Sequence, residues 1–248
     1  MFVIPMAGMS SRFFNAGYKQ PKYMLEAHGQ SLFAHSIRTF SHYFRDSDFL
    51  FITLGDYETP AFVDLECRKL GIKSHQTVTL DEVTRGQAET VALGLGKAAC
   101  SDTPITIFNI DTALPGFRHP DFMHECDGYL DVFVGSGNNW SYVRPDPNAP
   151  GRAIETAEKN PISDLCSSGL YFFKSSGEFT RLFEQQADAG IEGQAMNEFY
   201  IAPMYNQLIN SGKDIRYRVT EKDQVIFFGV PEEYLLLQKS QHPHLLAN

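Results

Sequence analysis

The segment Ile4-Pro5-Met6-Ala7-Gly8-Met9-Ser10-Ser11-Arg12, continuing to Pro21-Lys22, combines residue types suited to gripping an anion. A short apolar run empties into small residues, whose backbone N–H groups can approach a ligand closely. Arg12 offers a planar fork that matches phosphate oxygens, and Lys22 a mobile point charge. A dinucleotide fingerprint would need glycines where Met9, Ser10 and Ser11 stand, and the Gly-Lys-Ser/Thr of a P-loop is missing. By composition alone the stretch also reads as an ordinary surface loop.

Three further points could do chemistry. Asp111 comes just after the apolar run Ile105-Thr106-Ile107-Phe108, where a carboxylate could bind Mg²⁺ together with nucleotide phosphates. Thr112, Pro115 and Gly116 suit an Asx turn or helix cap there equally well. In Thr84-Arg85-Gly86-Gln87-Ala88, Gly86 permits close backbone approach, and Gln87 offers a donor and an acceptor to a flat nucleobase edge. Taken alone, that stretch is simply a helix start. Glu158-Lys159, with Ser167-Ser168-Gly169 nearby, could hold a hydroxyl and a phosphate, or be solvated surface charge.

The chain that must position these groups has 248 residues, 43% of them hydrophobic and 21% charged, which suits a globular enzyme and excludes disorder. Its net charge of −9 argues against general nucleic-acid binding, which needs a basic face, but leaves room for one phosphate-bearing substrate. No segment reaches the roughly 18–20 apolar residues that span a bilayer, so no membrane insertion is expected. Cys67, Cys100, Cys126 and Cys166 lie far apart and are read as reduced thiols. The cytoplasm is the expected compartment, and a homo-oligomer is left open.

Short apolar runs alternate with amphipathic stretches, which predicts an α/β fold: a mixed, mainly parallel sheet flanked by helices. Strands are expected at Phe2–Pro5, Phe49–Leu54, Thr77–Leu80 and Ile105–Phe108. Phe33, Ile37, Phe40 and Phe44 recur at helical spacing, as do Ala88, Val91, Ala92 and Leu95. Ala61, Leu65 and Leu70 suggest a helix capped by Gly71. Loops at the carboxyl ends of such strands are where ligands bind in open sheets. Beyond residue 128, short strands at Tyr129–Val134, Trp140–Val143, Gly169–Phe173, Ile215–Val219 and Val225–Phe228 should extend the same sheet between long polar loops. Tyr142, Tyr171, Tyr200 and Tyr205 are expected to be mostly core, and Gln241–Asn248, with His242 and His244, a frayed tail.

In order along the chain, these motifs resemble the sugar-phosphate nucleotidyltransferases, the pyrophosphorylase family with a Rossmann-like, glycosyltransferase-A-type fold. The opening Pro5-Met6-Ala7-Gly8-Met9-Ser10-Ser11-Arg12…Pro21-Lys22-Tyr23-Met24-Leu25 is similar to the family's first motif. Gly86-Gln87-Ala88 resembles its base-binding loop, Asn109-Ile110-Asp111 its metal-binding turn, and Glu158-Lys159 its acceptor-side pair. Gly169-Leu170-Tyr171 resembles the strand behind that pair, and Gly229-Val230-Pro231-Glu232-Glu233 the closing turn. The resemblance covers nearly the whole chain and sits closest to small capsule-type sugar-phosphate or phosphocholine cytidylyltransferases.

What the resemblance implies is one nucleotidyltransferase domain over 1–248, with a nucleotide-binding half (1–127), an acceptor-binding half (128–240) and a tail. Ala7, Gly8 and the amides of Met9, Ser10 and Ser11 would wrap a nucleoside triphosphate. Arg12 and Lys22 would be the catalytic cations, and Gly86 and Gln87 would read the base, CTP or UTP being favoured. Asp111 would hold Mg²⁺, while Glu158, Lys159 and Gly169 would bind a small phosphorylated acceptor. Transfer of the nucleoside monophosphate with release of pyrophosphate would then serve surface-polysaccharide precursors. Two departures stand out: Met9, Ser10 and Ser11 replace the commoner Gly-x-Gly-Thr style, and Ile226 to Pro231, where Val230 also replaces the usual Thr, lacks the second metal-binding Asp of many relatives, leaving Asp111 alone or a residue such as Asp223 to serve. The alternatives are a nucleotide-sugar-dependent glycosyltransferase, which would usually show Asp-x-Asp at Asn109-Ile110-Asp111, and a non-catalytic nucleotide sensor.

Overall fold

The computed structural model describes residues 1–188 and 198–240; the tail from Gln241 onward, with His242 and His244, lies outside the described residues. In chain order the first elements are β1 (Phe2–Pro5), α1 (Ser11–Asn15), β2 (Glu26–Ala27), β3 (Gln30–Ser31) and α2 (Leu32–Ile37). Then come β4 (Asp48–Leu54), α3 (Thr59–Leu70), β5 (Ser74–Leu80), α4 (Gln87–Ala98), β6 (Ile105–Phe108) and β7 (Thr112–Ala113). The later half supplies β8 (Gly128–Val134), β9 (Ser141–Pro145), β10 (Ala153–Glu158), β11 (Leu165–Phe173) and α5 (Ser176–Asp188). It closes with α6 (Tyr205–Asn210), β12 (Ile215–Val219), β13 (Ile226–Phe227) and α7 (Pro231–Lys239).

The central sheet runs in the order β10-β9-β11-β6-β1-β4-β5, with β8 on β11 and β12 on β8. β6, β1, β4 and β5 are parallel, as are β8 and β12, while β11 runs antiparallel to β6 and β8. This is the mixed α/β architecture that the alternating pattern predicts. β1 reads as an unbroken apolar run because both its faces are covered. Val3 packs into one buried cluster with α4 residues Val91 and Leu95, whereas Phe2 and Ile4 pack into another with Phe33 and Val63 from α2 and α3. Among the described residues no helix is long and apolar enough to cross a membrane, and all four cysteines are free thiols.

Several expectations need correction. Ala61 and Leu65 do not form the buried face of α3; Leu65 is 51% exposed, and Val63, Glu66 and Cys67 face inward. Buried Glu66 is tolerated because Ser31 Oγ donates to it at 2.5 Å and Lys69 pairs with it at 2.7 Å. Phe33 and Ile37 belong to α2, but Phe40 lies in a following 3₁₀ turn with non-helical angles, so the four phenyl and isoleucyl positions are buried without one continuous helix. β5 begins earlier than expected because it lies at the end of the sheet, where polar Ser74, His75 and Gln76 can still pair. β13 leaves the central sheet and pairs with β7 instead. Helix α5 occupies a stretch expected as polar loop, α7 begins inside the closing turn that the resemblance implies, and β10 was not foreseen.

Candidate active site

The first loop is fixed at both ends. Met6 N–H donates to Ile52 O at 2.7 Å, prolonging the β1–β4 pairing, so Met6 and Ala7 stay buried while Gly8 and Met9 are exposed. Ser10 takes left-handed angles (φ 49°) to start α1. Its Oγ accepts the Lys22 N–H at 3.2 Å, tying the far end of the loop to its middle. Phe13, one residue beyond Arg12, is buried against Tyr18 and Tyr234 and so anchors α1 onto α7.

Asp111 emerges just past β6. Its carbonyl accepts the Phe228 N–H at 3.0 Å, an extension of the β7–β13 ribbon. The same ribbon presses Gly229 onto the carboxylate: a Cβ at 229 would lie 2.9 Å from Asp111 Oδ2. Lys22 Nζ donates to that Oδ2 at 2.5 Å. Glu233 completes the corner from the first turn of α7, accepting N–H groups from Gly229 at 2.8 Å and Val230 at 3.3 Å. Burial pushes the Glu233 carboxyl up; the two N–H bonds and Lys22 oppose this, and Asp111 adds to it. The second carboxylate beside Asp111 is therefore Glu233. Asp223, the alternative named from sequence, is exposed and does not line the cleft.

Asp111 and Glu233 present only hard oxygen donors, beside a phosphate-sized opening bordered by Gly8 and Lys22. Among the described residues no cluster of three or more His, Cys, Asp or Glu forms a protein-only metal cage. One or two carboxylates completed by phosphates is the usual environment of Mg²⁺, so these residues fit that ion.

Gln87 opens α4 and donates through its amide to Asn109 Oδ1. Asn109 N–H in turn donates to Gly169 O at 3.1 Å. Gly169 stands in a bulge where the β8–β11 register shifts between Ser167 and Leu170. Its φ of +90° and a hypothetical Cβ contact of 2.5 Å with Asn109 Nδ2 both demand glycine. Gly86 has its back to the cleft, against Phe199, and its carbonyl accepts from Thr84 and Thr90.

At the other end, Glu158 accepts from Ser141 Oγ, and burial pushes its carboxyl up. Lys159 Nζ donates to Tyr200 Oη at 2.8 Å and lies over its ring, and Tyr200 donates to Glu198. Trp140 and Phe227 pack with ring centres 4.8 Å apart and planes tilted by 47°, forming an aromatic side wall. Tyr142 and Tyr205 are core as expected; Tyr171 and Tyr200 border the cleft.

These groups line two adjoining spaces. A pocket of about 210 Å³ is bordered by Gly8, Lys22, Gln87, Asn109 and Asp111. The last three also border a cleft of about 600 Å³ that includes Arg12, Glu158, Lys159, Gly169 and Glu233. Met9 and Ser10 belong to the loop and Ser11 opens α1, outside either lining, and Ala7 is buried beneath the loop. Sequence reasoning gave no role to Asn109, Trp140, Ser141, Glu198 or Glu233. Of these, Asn109 and Glu233 lay inside motifs already singled out, and only their neighbours' folding revealed their use.

No family model matches the sequence, and no curated protein does. Among solved structures, a nucleoside-diphosphate-sugar pyrophosphorylase from Vibrio cholerae RC9 superposes with a TM-score of 0.93 at 49% identity, over 97% of this chain and 100% of that one. An inositol-1-phosphate CTP transferase from T. maritima (TM-score 0.70, 12% identity, 96% and 94% covered) shares the fold. So does a UDP-glucose pyrophosphorylase complexed with UDP-glucose (TM-score 0.73, 15% identity, 96% of each chain).

Proposed function

This chain belongs to the nucleoside-diphosphate-sugar pyrophosphorylases, a nucleotidyltransferase family, and we propose that it transfers a nucleoside monophosphate from CTP or UTP to a small phosphorylated acceptor. One observation carries the reading: Gly8, Arg12, Lys22, Gln87, Asp111, Glu158 and Glu233, drawn from distant parts of the sequence, border two adjoining spaces that share Gln87 and Asp111 in their lining.

In the proposed reaction an acceptor phosphate oxygen attacks the α-phosphorus of the nucleotide. The bond from that phosphorus to the bridging oxygen breaks, and pyrophosphate leaves with the electron pair. The attacking oxygen is already anionic near neutral pH, so no general base is required, and catalysis is positioning plus charge stabilisation. Gly8 and the amides of Met9, Ser10 and Ser11 wrap the triphosphate, with Ala7 buried beneath them. Arg12 faces the leaving pyrophosphate, and Lys22 neutralises the α-phosphate and the incoming phosphate. Gln87, oriented by Asn109, reads the base together with the Gly86 loop. A small pyrimidine edge suits one amide and backbone groups. Mg²⁺ held by Asp111 and Glu233 would supply further charge neutralisation at the phosphates.

Glu158, Lys159 and Gly169 receive the acceptor, with Lys159 on its phosphate and Glu158 on a hydroxyl or amine. A sugar phosphate is the favoured class, and the product is read as a precursor of a surface polysaccharide. The reaction belongs in the cytoplasm, where free thiols such as those of this chain persist.

The test is pyrophosphate release with Mg²⁺, crossing CTP, UTP, dTTP, ATP and GTP with pooled sugar phosphates, phosphocholine and phosphorylated amino acids. Release with CTP or UTP that depends on a sugar-phosphate pool is the expected result. Failure to bind any nucleotide in the presence of Mg²⁺ would overturn the reading of Gly8, Arg12 and Lys22.

A further inference from the structure

Asp131 sits in the middle of β8, fully buried, and borders neither of the two spaces of the site. Tyr129 and Phe133, two residues to either side on the same strand face, belong to one buried apolar cluster. A carboxylate among them is costly to desolvate, and burial accordingly pushes it up. Core packing alone would be served by an apolar side chain, so the two oxygens call for another explanation.

Each oxygen has a partner. Oδ1 accepts from Ser168 Oγ at 2.7 Å, and Oδ2 accepts from Thr220 Oγ1 at 2.8 Å, with Arg218 Nη1 3.6 Å from Oδ2. The two arms differ in where they lead. Thr220 and Arg218 lie outside both spaces, whereas Ser168 borders the larger cleft together with Ser167 and Gly169.

The bulge is the part of this contact free to shift. Ser167 pairs in register with Val132 and Leu170 with Asp131, so Ser168 and Gly169 stand between them without register partners on β8. At such extra residues the ladder no longer fixes the backbone. β8 is paired on both sides, with Asp131 opposite Leu170 of β11 and Arg218 of β12. The bulge also passes its position on: Gly169 N–H donates to Ser167 Oγ at 3.1 Å, and Gly169 O accepts the Asn109 N–H at 3.1 Å.

We propose that Asp131 is a positioning residue: through Ser168 it anchors the bulge at 167–169 and so sets the cleft wall against which the acceptor is held. This rests on the acceptor end assigned under the proposed function. Misplacing a site wall by about 1 Å can cost on the order of 100-fold in rate.

The test compares Asp131→Asn, Asp131→Leu, Ser168→Ala and Thr220→Ala in the full chain, by thermal midpoint and by pyrophosphate release with the wild type's nucleotide and acceptor. Asp131→Asn keeps a group that can bond both hydroxyls and should hold kcat/KM for the acceptor within about threefold. Asp131→Leu, similar in size, should lower it about tenfold or more while still melting cooperatively. Ser168→Ala and Thr220→Ala each remove one buried hydrogen bond to the same carboxylate, so their midpoints should fall alike. Only Ser168→Ala should reproduce the kinetic loss of Asp131→Leu, and the double variant should add little to either. If Asp131→Leu does not fold, the contrast between Ser168→Ala and Thr220→Ala decides alone. Kinetic losses that track the midpoints across all four variants, or equal losses from Ser168→Ala and Thr220→Ala, reduce Asp131 to a structural role and overturn the proposal while leaving the reaction intact. A wild type that neither binds nucleotide nor releases pyrophosphate overturns the proposed function, and this role with it.

Discussion

Lys22 Nζ lies 2.5 Å from Asp111 Oδ2, with the two side chains 20% and 25% exposed. The cation of the first loop and the carboxylate beyond β6 thus hold each other inside the cleft. Incoming phosphates and a divalent ion would each compete for one member of this pair. Losing Lys22 removes charge where the reaction develops it. Lys22→Met should lower kcat for pyrophosphate release by about 10²–10³, and Lys22→Met/Asp111→Asn should cost less than the product of the single losses. A loss under threefold for Lys22→Met would show that the cation takes no part.

Glu233 is expected to act at both the helix and the site. Glu233→Gln keeps an acceptor for the Gly229 and Val230 N–H groups, so stability should change by less than about 1 kcal/mol. Removal of the charge should instead raise the Mg²⁺ concentration needed for nucleotide binding, by about tenfold. The measurement is a Mg²⁺ titration of nucleotide affinity by calorimetry. An unchanged Mg²⁺ midpoint would limit Glu233 to helix capping.

Asp131 on β8 is fully buried, accepts from Ser168 Oγ at 2.7 Å and Thr220 Oγ1 at 2.8 Å, and lies 3.6 Å from Arg218. Burial pushes its carboxyl from 3.8 up to about 6, against the pull of Arg218 and the two hydroxyls. The folded chain therefore holds this proton where the unfolded chain has lost it. Its contribution to stability is fully present below about pH 4 and is lost as pH rises through about 6. Urea titrations should find that wild type loses about 2–3 kcal/mol relative to Asp131→Asn between pH 4 and pH 7. A pH-independent difference would remove Asp131 as the source.

Val63 and Leu65 give a plain test of which face of α3 is buried. Val63→Ala should cost about 1–3 kcal/mol, whereas Leu65→Ala should stay within about 0.5 kcal/mol. Denaturant midpoints settle the order, and a larger loss at Leu65 would contradict the packing of α3.

Apart from α1 and the short β2–β3 pair, the order of strands and helices through β6 was legible because buried parallel strands are apolar throughout and their covering helices repeat at 3.6 residues. Phe2–Pro5 and Ile105–Phe108 are strands with the bounds that pattern predicts, and Ala88, Val91, Ala92 and Leu95 form the buried face of α4. On α3 the same periodicity picked the wrong face, because Glu66 is buried through its bonds to Ser31 and Lys69 while Leu65 meets solvent. A one-dimensional pattern counts apolar residues and cannot see a satisfied charge. The amphipathic α7 was passed over because its Pro231-Glu232-Glu233 start looked like a polar turn.

Residue type and order along the chain were enough to single out Arg12, Lys22, Gln87, Asp111, Glu158 and Lys159, since cations, carboxylates and amides at strand ends carry their chemistry with them. Which groups touch was decided by tertiary structure alone. Lys22 reaches Asp111 because Ser10 ties the first loop back upon itself; Glu233 joins them because the β7–β13 ribbon folds Gly229 against Asp111. Gly86 shows the same division most clearly. Its sequence neighbours mark it as a flexible glycine before a helix, but the contact that requires a glycine there comes from Phe199, a long-range backbone approach that no local pattern encodes.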